Sequence, residues 1–162
     1  MMIDIDSTNN EYRTHINWPA LIVRASEQGS RQSGLGVFAA QGLRPWDSIP
    51  ILGRAITQRK YQELADRDLA THVSFTTAGL VDGHPRYHPW NGIGGRGQFI
   101  TSLINEPTRR KPNVIMRGTN VVVVQPIPKG SELLISYGPE YTRDYCVSRY
   151  TLEKQQYKTF KD

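Results

Sequence analysis

One cysteine, Cys146, stands among 162 residues. A lone thiol forms no internal disulfide and no multi-cysteine zinc cluster, so the expected setting is intracellular and reducing. Nucleophilic chemistry there would need an activating base beside it, and none is apparent, so Cys146 reads as structural or incidental. Long apolar runs are missing too. No stretch approaches the ~20 residues that a membrane helix requires, and no membrane partner is expected. The opening MMIDIDSTNNEY is polar and acidic, without the basic head and apolar stretch of a signal peptide. Neither a nucleophile elbow nor a phosphate-cradling G-x-x-x-x-G-K-[ST] occurs, so hydrolase and nucleoside-triphosphatase readings have little support.

What is present fits one globular domain. Hydrophobic residues make up 38% and charged residues 22% of the chain, ordinary proportions for a packed fold. The formal charge of +5 favours acidic partners. Its densest cluster is Arg109-Arg110-Lys111, and a nucleic-acid contact through these residues is one reading of it.

Short β-prone runs dominate. ALIVRAS at 20–26, GLGVFAA at 34–40 and SIPILGRAI at 48–56 read as strands. Residues 57–70 place Tyr61, Leu64 and Leu69 at helical spacing, with Thr57 as N-cap. HVSFTT and GLVDG return to strand character around an Ala78-Gly79 turn, and the glycine- and proline-rich 83–97 reads as a loop. Apolar strands flanking Arg117-Gly118-Thr119-Asn120 predict a hairpin, and KGSELLISYG a further turn and strand. Residues before 18 are polar and expected to be loosely held, and the tail from Tyr141 is helix-permissive. The sum is a β-rich fold, not an alternating β–α one.

Two motifs fail on context. Residues 92–97, GIGGRG, match G-x-G-x-x-G, but no strand precedes them, no helix follows, and no acid lies about 20 residues on. His84 and His88 have a metal-ligand spacing only on a helix, and Pro85 and Pro89 oppose one. No metal site is expected.

Three segments belong together: Ser33 to Ala39 (SGLGVFA), Leu103 to Val114 (LINEPTRRKPNV) and Gly130 to Gly138 (GSELLISYG). In order and spacing they resemble the SET-domain protein lysine methyltransferases, over roughly 22–141. Gly34-Leu35-Gly36 meets the family's early G-x-G. Ile104-Asn105 and Pro112-Asn113 meet the ends of its asparagine loop. Gly130, Glu132, Leu133, Tyr137 and Gly138 meet its closing G-E-E-L-x-x-D-Y-G, and Leu80-Val81-Asp82-Gly83 sits where the family has an I-D-A-like strand. Departures are Ser102 at the usual arginine, Glu106 at the usual histidine, Ile135 where many members carry Phe or Tyr, and Ser136 at the usual aspartate. Zinc-binding cysteine flanks are absent, as in minimal SET domains of compact viral or microbial proteins.

The resemblance implies a mainly β, β-clip fold of several small sheets with a pseudoknot, one inserted helix and a C-terminal tail or helix. A polar arm at 1–19 would precede a SET domain at 20–141 with a variable insert at 55–98, followed by a tail at 142–162. It implies transfer of a methyl group from S-adenosylmethionine to a lysine of a histone tail or another basic protein, and a nuclear location if histones are the substrate. Tyr137 would be catalytic. Gly34, Leu35, Gly36, Ser102, Leu103, Asn105 and Glu106 would hold the cofactor, Glu106 mainly through its backbone, and Tyr141 would cover the adenine. Phe75 and Ile135 would line the lysine channel with Tyr137. Alternatives are a SET fold without turnover and a basic nucleic-acid or chromatin-binding domain. Homodimer formation is left open.

Overall fold

A computed structural model of the chain describes residues 14–15, 20–28, 34–51, 53–70, 72–83 and 100–138. The expectations for His84, His88, the 92–97 glycine run, Tyr141, Cys146 and the tail lie outside the described residues. Among the described residues nine short strands form three sheets: β1 (Thr14–His15), β2 (Leu21–Ala25), β3 (Leu35–Ala39), β4 (Asp47–Pro50), β5 (Arg54–Ile56), β6 (Val73–Thr76), β7 (Gly79–Asp82), β8 (Val114–Arg117) and β9 (Asn120–Val123). The sheet orders are β1-β4-β9-β8, β2-β3 and β5-β7-β6. One α-helix, α1 (Gln58–Ala65), and a 3-10 turn at Ile100–Leu103 complete the described elements. The architecture is mainly β, as the sequence leads one to expect, and no described helix is long and apolar enough to cross a membrane.

Burial follows strand position. β2 alternates, hiding Leu21 and Val23 and exposing Ile22 and Arg24, the period of a half-covered sheet. β9 lies between β4 and β8 and buries Val121, Val122 and Val123 together. The main core joins Val121 and Val123 to Val37, Ile49, Ile104, Ile127, Leu133 and Ile135. Each such side chain stabilises by about 1.5–3 kcal/mol when fully withdrawn from water. Arg24 covers the buried Phe38, its guanidinium carbon 3.7 Å from the ring centroid while Nη2 donates to the Gly130 carbonyl.

Several boundaries differ from the sequence expectation. SIPILGRAI is two strands in different sheets: pairing with the β8–β9 hairpin runs on to Ile51, whose N–H donates to the Thr119 carbonyl, and from Arg54 the chain pairs with β7 instead. Helix α1 stops at Ala65, since Asp68 adopts φ +54°, a left-handed conformation that ends helical hydrogen bonding. Its start is as expected, with the Thr57 hydroxyl accepting from Lys60 N–H at 3.1 Å. The β6–β7 loop is Thr77-Ala78, one residue earlier than expected, and Gly79 opens β7 at φ +116°. Gly118, at φ +61°, makes the expected β8–β9 turn. Thr14 and His15 are not loose: they pair in parallel with Asp47 and Ser48. Residues 131–138 are extended but make only isolated bridges, because their neighbours change from one residue to the next.

Gly53 marks the passage between sheets. A Cβ there would stand 2.5 Å from Val81 Cγ1 and 2.7 Å from the Asp82 carbonyl oxygen. Gly53→Ala is therefore expected to lower stability by about 1–3 kcal/mol, read as a fall in urea midpoint at unchanged m-value.

Candidate functional site

The three motif segments converge on one carboxylate. Glu132, 2% exposed, accepts from Ser26 Oγ at 2.7 Å, the Glu27 N–H at 3.0 Å, Gln28 Nε2 at 3.0 Å and Asn105 Nδ2 at 3.4 Å. Four donors on two oxygens suit an acceptor-only group. Gln28 extends the network, its Oε1 accepting from the Thr108 N–H at 3.1 Å. Gly36 lies against the same carboxylate: a Cβ there would fall 2.3 Å from Glu132 Oε1. The second glycine of G-x-G is thus required by Glu132, whereas the resemblance gave it a cofactor contact. Gly34 has nothing within 4 Å of a Cβ position, so the first glycine faces open space.

The segment from Ser131 onward is held on two sides. Leu133 N–H donates to the Val37 carbonyl at 2.8 Å, and Ile135 N–H to the Asn105 carbonyl at 2.9 Å. Asn113 clasps the residue between them. Its Oδ1 accepts from Leu134 N–H at 2.7 Å, its own N–H donates to the Leu134 carbonyl at 2.9 Å, and its Nδ2 donates to the Glu132 carbonyl at 2.9 Å. Only an amide supplies donor and acceptor together at that reach. Both ends of the 105–113 loop therefore grip one short stretch.

Asn105 is half-buried and points its amide nitrogen at two acceptors, the Leu35 carbonyl at 2.8 Å and Glu132. Those partners fix which end of the amide faces them. Among the described residues nothing donates to Asn105 Oδ1. Asn105 thereby lies beside Leu35 and Gly34, both exposed, and the three make a shelf at the start of β3. Leu103 lies in the 3-10 turn packed against the core. The Ser102 hydroxyl donates to the Gly83 carbonyl at 2.7 Å. Among the described residues no group of three or more His, Cys, Asp or Glu side chains is placed to hold a metal ion.

Tyr137 is 39% exposed, and its hydroxyl donates to the Ile104 carbonyl at 2.8 Å. It opens on a cleft of about 660 Å³ whose walls include Tyr61, His72, Phe75, Ile104 and Ile135. Phe75 is 58% exposed and meets Tyr61 edge to face, ring centroids 5.0 Å apart. The structure thus brings Phe75, Ile135 and Tyr137 to one cleft. Glu106 is not confined to the backbone role expected of it: its side chain is 4% exposed and accepts from the Tyr137 N–H at 2.7 Å. Arg109, Arg110 and Lys111 are exposed on the loop. Sequence reasoning missed Ser26, Gln28 and Tyr61. The signal for the first two was Glu132 itself, an acid just before the apolar run Leu133-Leu134-Ile135 that needs buried donors nearby.

No protein-family model matches the chain, and no curated protein does. Solved structures do. A humanized mutant of the Chaetomium thermophilum Polycomb Repressive Complex 2, bound to an inhibitor, aligns with a TM-score of 0.54 and 18% identity. Apo ctPRC2 with substitutions in Ezh2 aligns with a TM-score of 0.54 and 19% identity. Each match takes in 76% of this chain and 16% of the neighbour's chain. The likeness establishes a SET-like, mainly β fold for this chain.

The two motif glycines should respond differently to a methyl group. Gly36→Ala is expected to lower the thermal midpoint by several degrees, corresponding to about 1–3 kcal/mol, whereas Gly34→Ala should leave it within experimental scatter. Equal midpoints for the two variants would contradict the packing of Gly36 against Glu132.

Proposed function

We propose that the chain is an S-adenosylmethionine-dependent protein lysine N-methyltransferase acting on a histone tail or another basic protein. The observation that carries this reading is Tyr137, its hydroxyl held by the Ile104 carbonyl at the mouth of an apolar cleft. The SET-like fold supports it. When bound, S-adenosylmethionine supplies a methyl carbon on a sulfonium, displaced in line by a neutral amine. The shelf residues fit its amino-acid end: Asn105 Oδ1 would accept from the ammonium, and Gly34 and Leu35 would leave room for the chain. Tyr141 would cover the adenine.

The chain's own task is to present a neutral lysine in alignment. Free lysine has a pKa of about 10.4, so only ~1 in 2,500 is neutral at pH 7. Walls such as Ile135, Phe75 and Ile104 disfavour the ammonium form by withdrawing it from water. With its proton committed to Ile104, the Tyr137 oxygen meets the amine as an acceptor and orients it. This needs no strong base. The lysine channel would be closed by the tail after 141 or by a partner chain.

A second reading rests on the exposure of Arg109, Arg110 and Lys111 together: a nucleic-acid or chromatin contact, whose signature is affinity that falls steeply with salt.

Incubation with labelled S-adenosylmethionine and a panel of histones decides between them. Wild-type chain is expected to transfer label, and Tyr137→Phe to do so at least roughly 100-fold more slowly while still folded. Cofactor binding without transfer to any substrate would favour a SET fold lacking turnover. No cofactor binding, with salt-sensitive DNA binding, would favour the second reading.

A further inference from the structure

The bond between Glu106 and Tyr137 has a cause in the adjoining backbone. Asn105 and Leu134 form a parallel bridge in which the Ile135 N–H donates to the Asn105 carbonyl. The next rung of such a ladder would join the N–H of residue 107 to the Ile135 carbonyl, and the Tyr137 N–H to the carbonyl of residue 107. Residue 107 is proline, which has no N–H to give. The pairing stops at one bridge, and the Tyr137 N–H turns to Glu106 Oε1, 2.7 Å away.

Tyr137 is consequently gripped at both ends by residues two apart on one loop. The Ile104 carbonyl holds its hydroxyl and the Glu106 carboxylate holds its backbone. Glu106 is 4% exposed, so water has little access to replace it. A carboxylate makes a stronger bond to an N–H than a carbonyl does.

We propose that Glu106 is a positioning residue for Tyr137: its carboxylate takes the rung that Pro107 leaves unmade and keeps the tyrosine hydroxyl at the cleft. The consequence for catalysis rests on the methyl-transfer reading; the clamp itself does not.

Two readouts on the full chain test this. In amide hydrogen exchange followed by NMR, Glu106→Ala should speed exchange at Tyr137 by roughly 10- to 100-fold, relative to Ile135, whose acceptor is a backbone carbonyl. Glu106→Gln keeps an oxygen at the same reach and should restore most of the protection. In methyl transfer, Glu106→Ala should lower kcat by roughly 100-fold with the donor KM near the wild-type value, and Glu106→Gln should recover most of that loss. Unchanged exchange at Tyr137 in Glu106→Ala overturns the proposal. So does a kcat loss that Glu106→Gln fails to recover although Tyr137 is protected. If Glu106→Ala does not fold, Glu106→Asp takes its place: one methylene shorter, it should lose protection that Glu106→Gln retains, and equal behaviour of the two overturns the clamp. A wild-type chain that methylates nothing defeats the functional reading, and the exchange measurement still decides the clamp.

Discussion

The buried carboxylate of Glu132 is the constraint on which the rest of the junction depends. An acid 2% exposed persists only where donors replace water, and here they come from Ser26, Glu27, Gln28 and Asn105. These donors lie in two distant parts of the chain, so one acceptor ties the end of β2 to the asparagine loop and to the closing segment. Bonds to a charged acceptor stabilise by about 1.5–3 kcal/mol each. Loss of the acceptor would also leave the half-buried donors of Ser26, Gln28 and Asn105 without that partner. The close approach of Gly36 follows from the same requirement, since any side chain there would occupy the space of the carboxylate.

With that junction fixed, neighbouring residues serve different surfaces. Ile104 contributes its side chain to the cleft and its carbonyl to the Tyr137 hydroxyl. Asn105, next in the chain, sends its side chain to β3 and its carbonyl to Ile135. Glu106 then secures the backbone of Tyr137. Three consecutive residues thereby couple a shelf beside Gly34 and Leu35 to a cleft lined by Phe75, Ile135 and Tyr137. In the proposed activity the shelf would take the methyl donor and the cleft the lysine.

Much of this was legible in the sequence, for reasons that can be named. The hairpin around Gly118 and the N-cap at Thr57 are local features, and local chemistry sets them. The asparagine loop and the tyrosine segment were legible as motifs, although their internal roles were not. Asn113 reads only as the far end of the asparagine loop until Leu134 and Glu132 are seen on either side of it. Gly36 reads only as a cofactor glycine, and the carboxylate beside it adds a packing reason that the motif does not disclose. Glu106 reads as a substituted backbone position, because nothing in LINEPTRRKPNV discloses that Pro107 interrupts a ladder. The split of SIPILGRAI was hidden for a related reason: strand propensity does not say which sheet a strand joins.

The account's central proposal is that the methyl donor binds at Gly34, Leu35 and Asn105, beside the Glu132 network. An NMR titration with S-adenosylmethionine tests it most directly. Saturable shifts at the amides of Gly34, Leu35 and Asn105, with Glu27 and Leu133 held still by their own hydrogen bonds, are the predicted result. A titration that moves none of the three, or that perturbs a different surface, would contradict it.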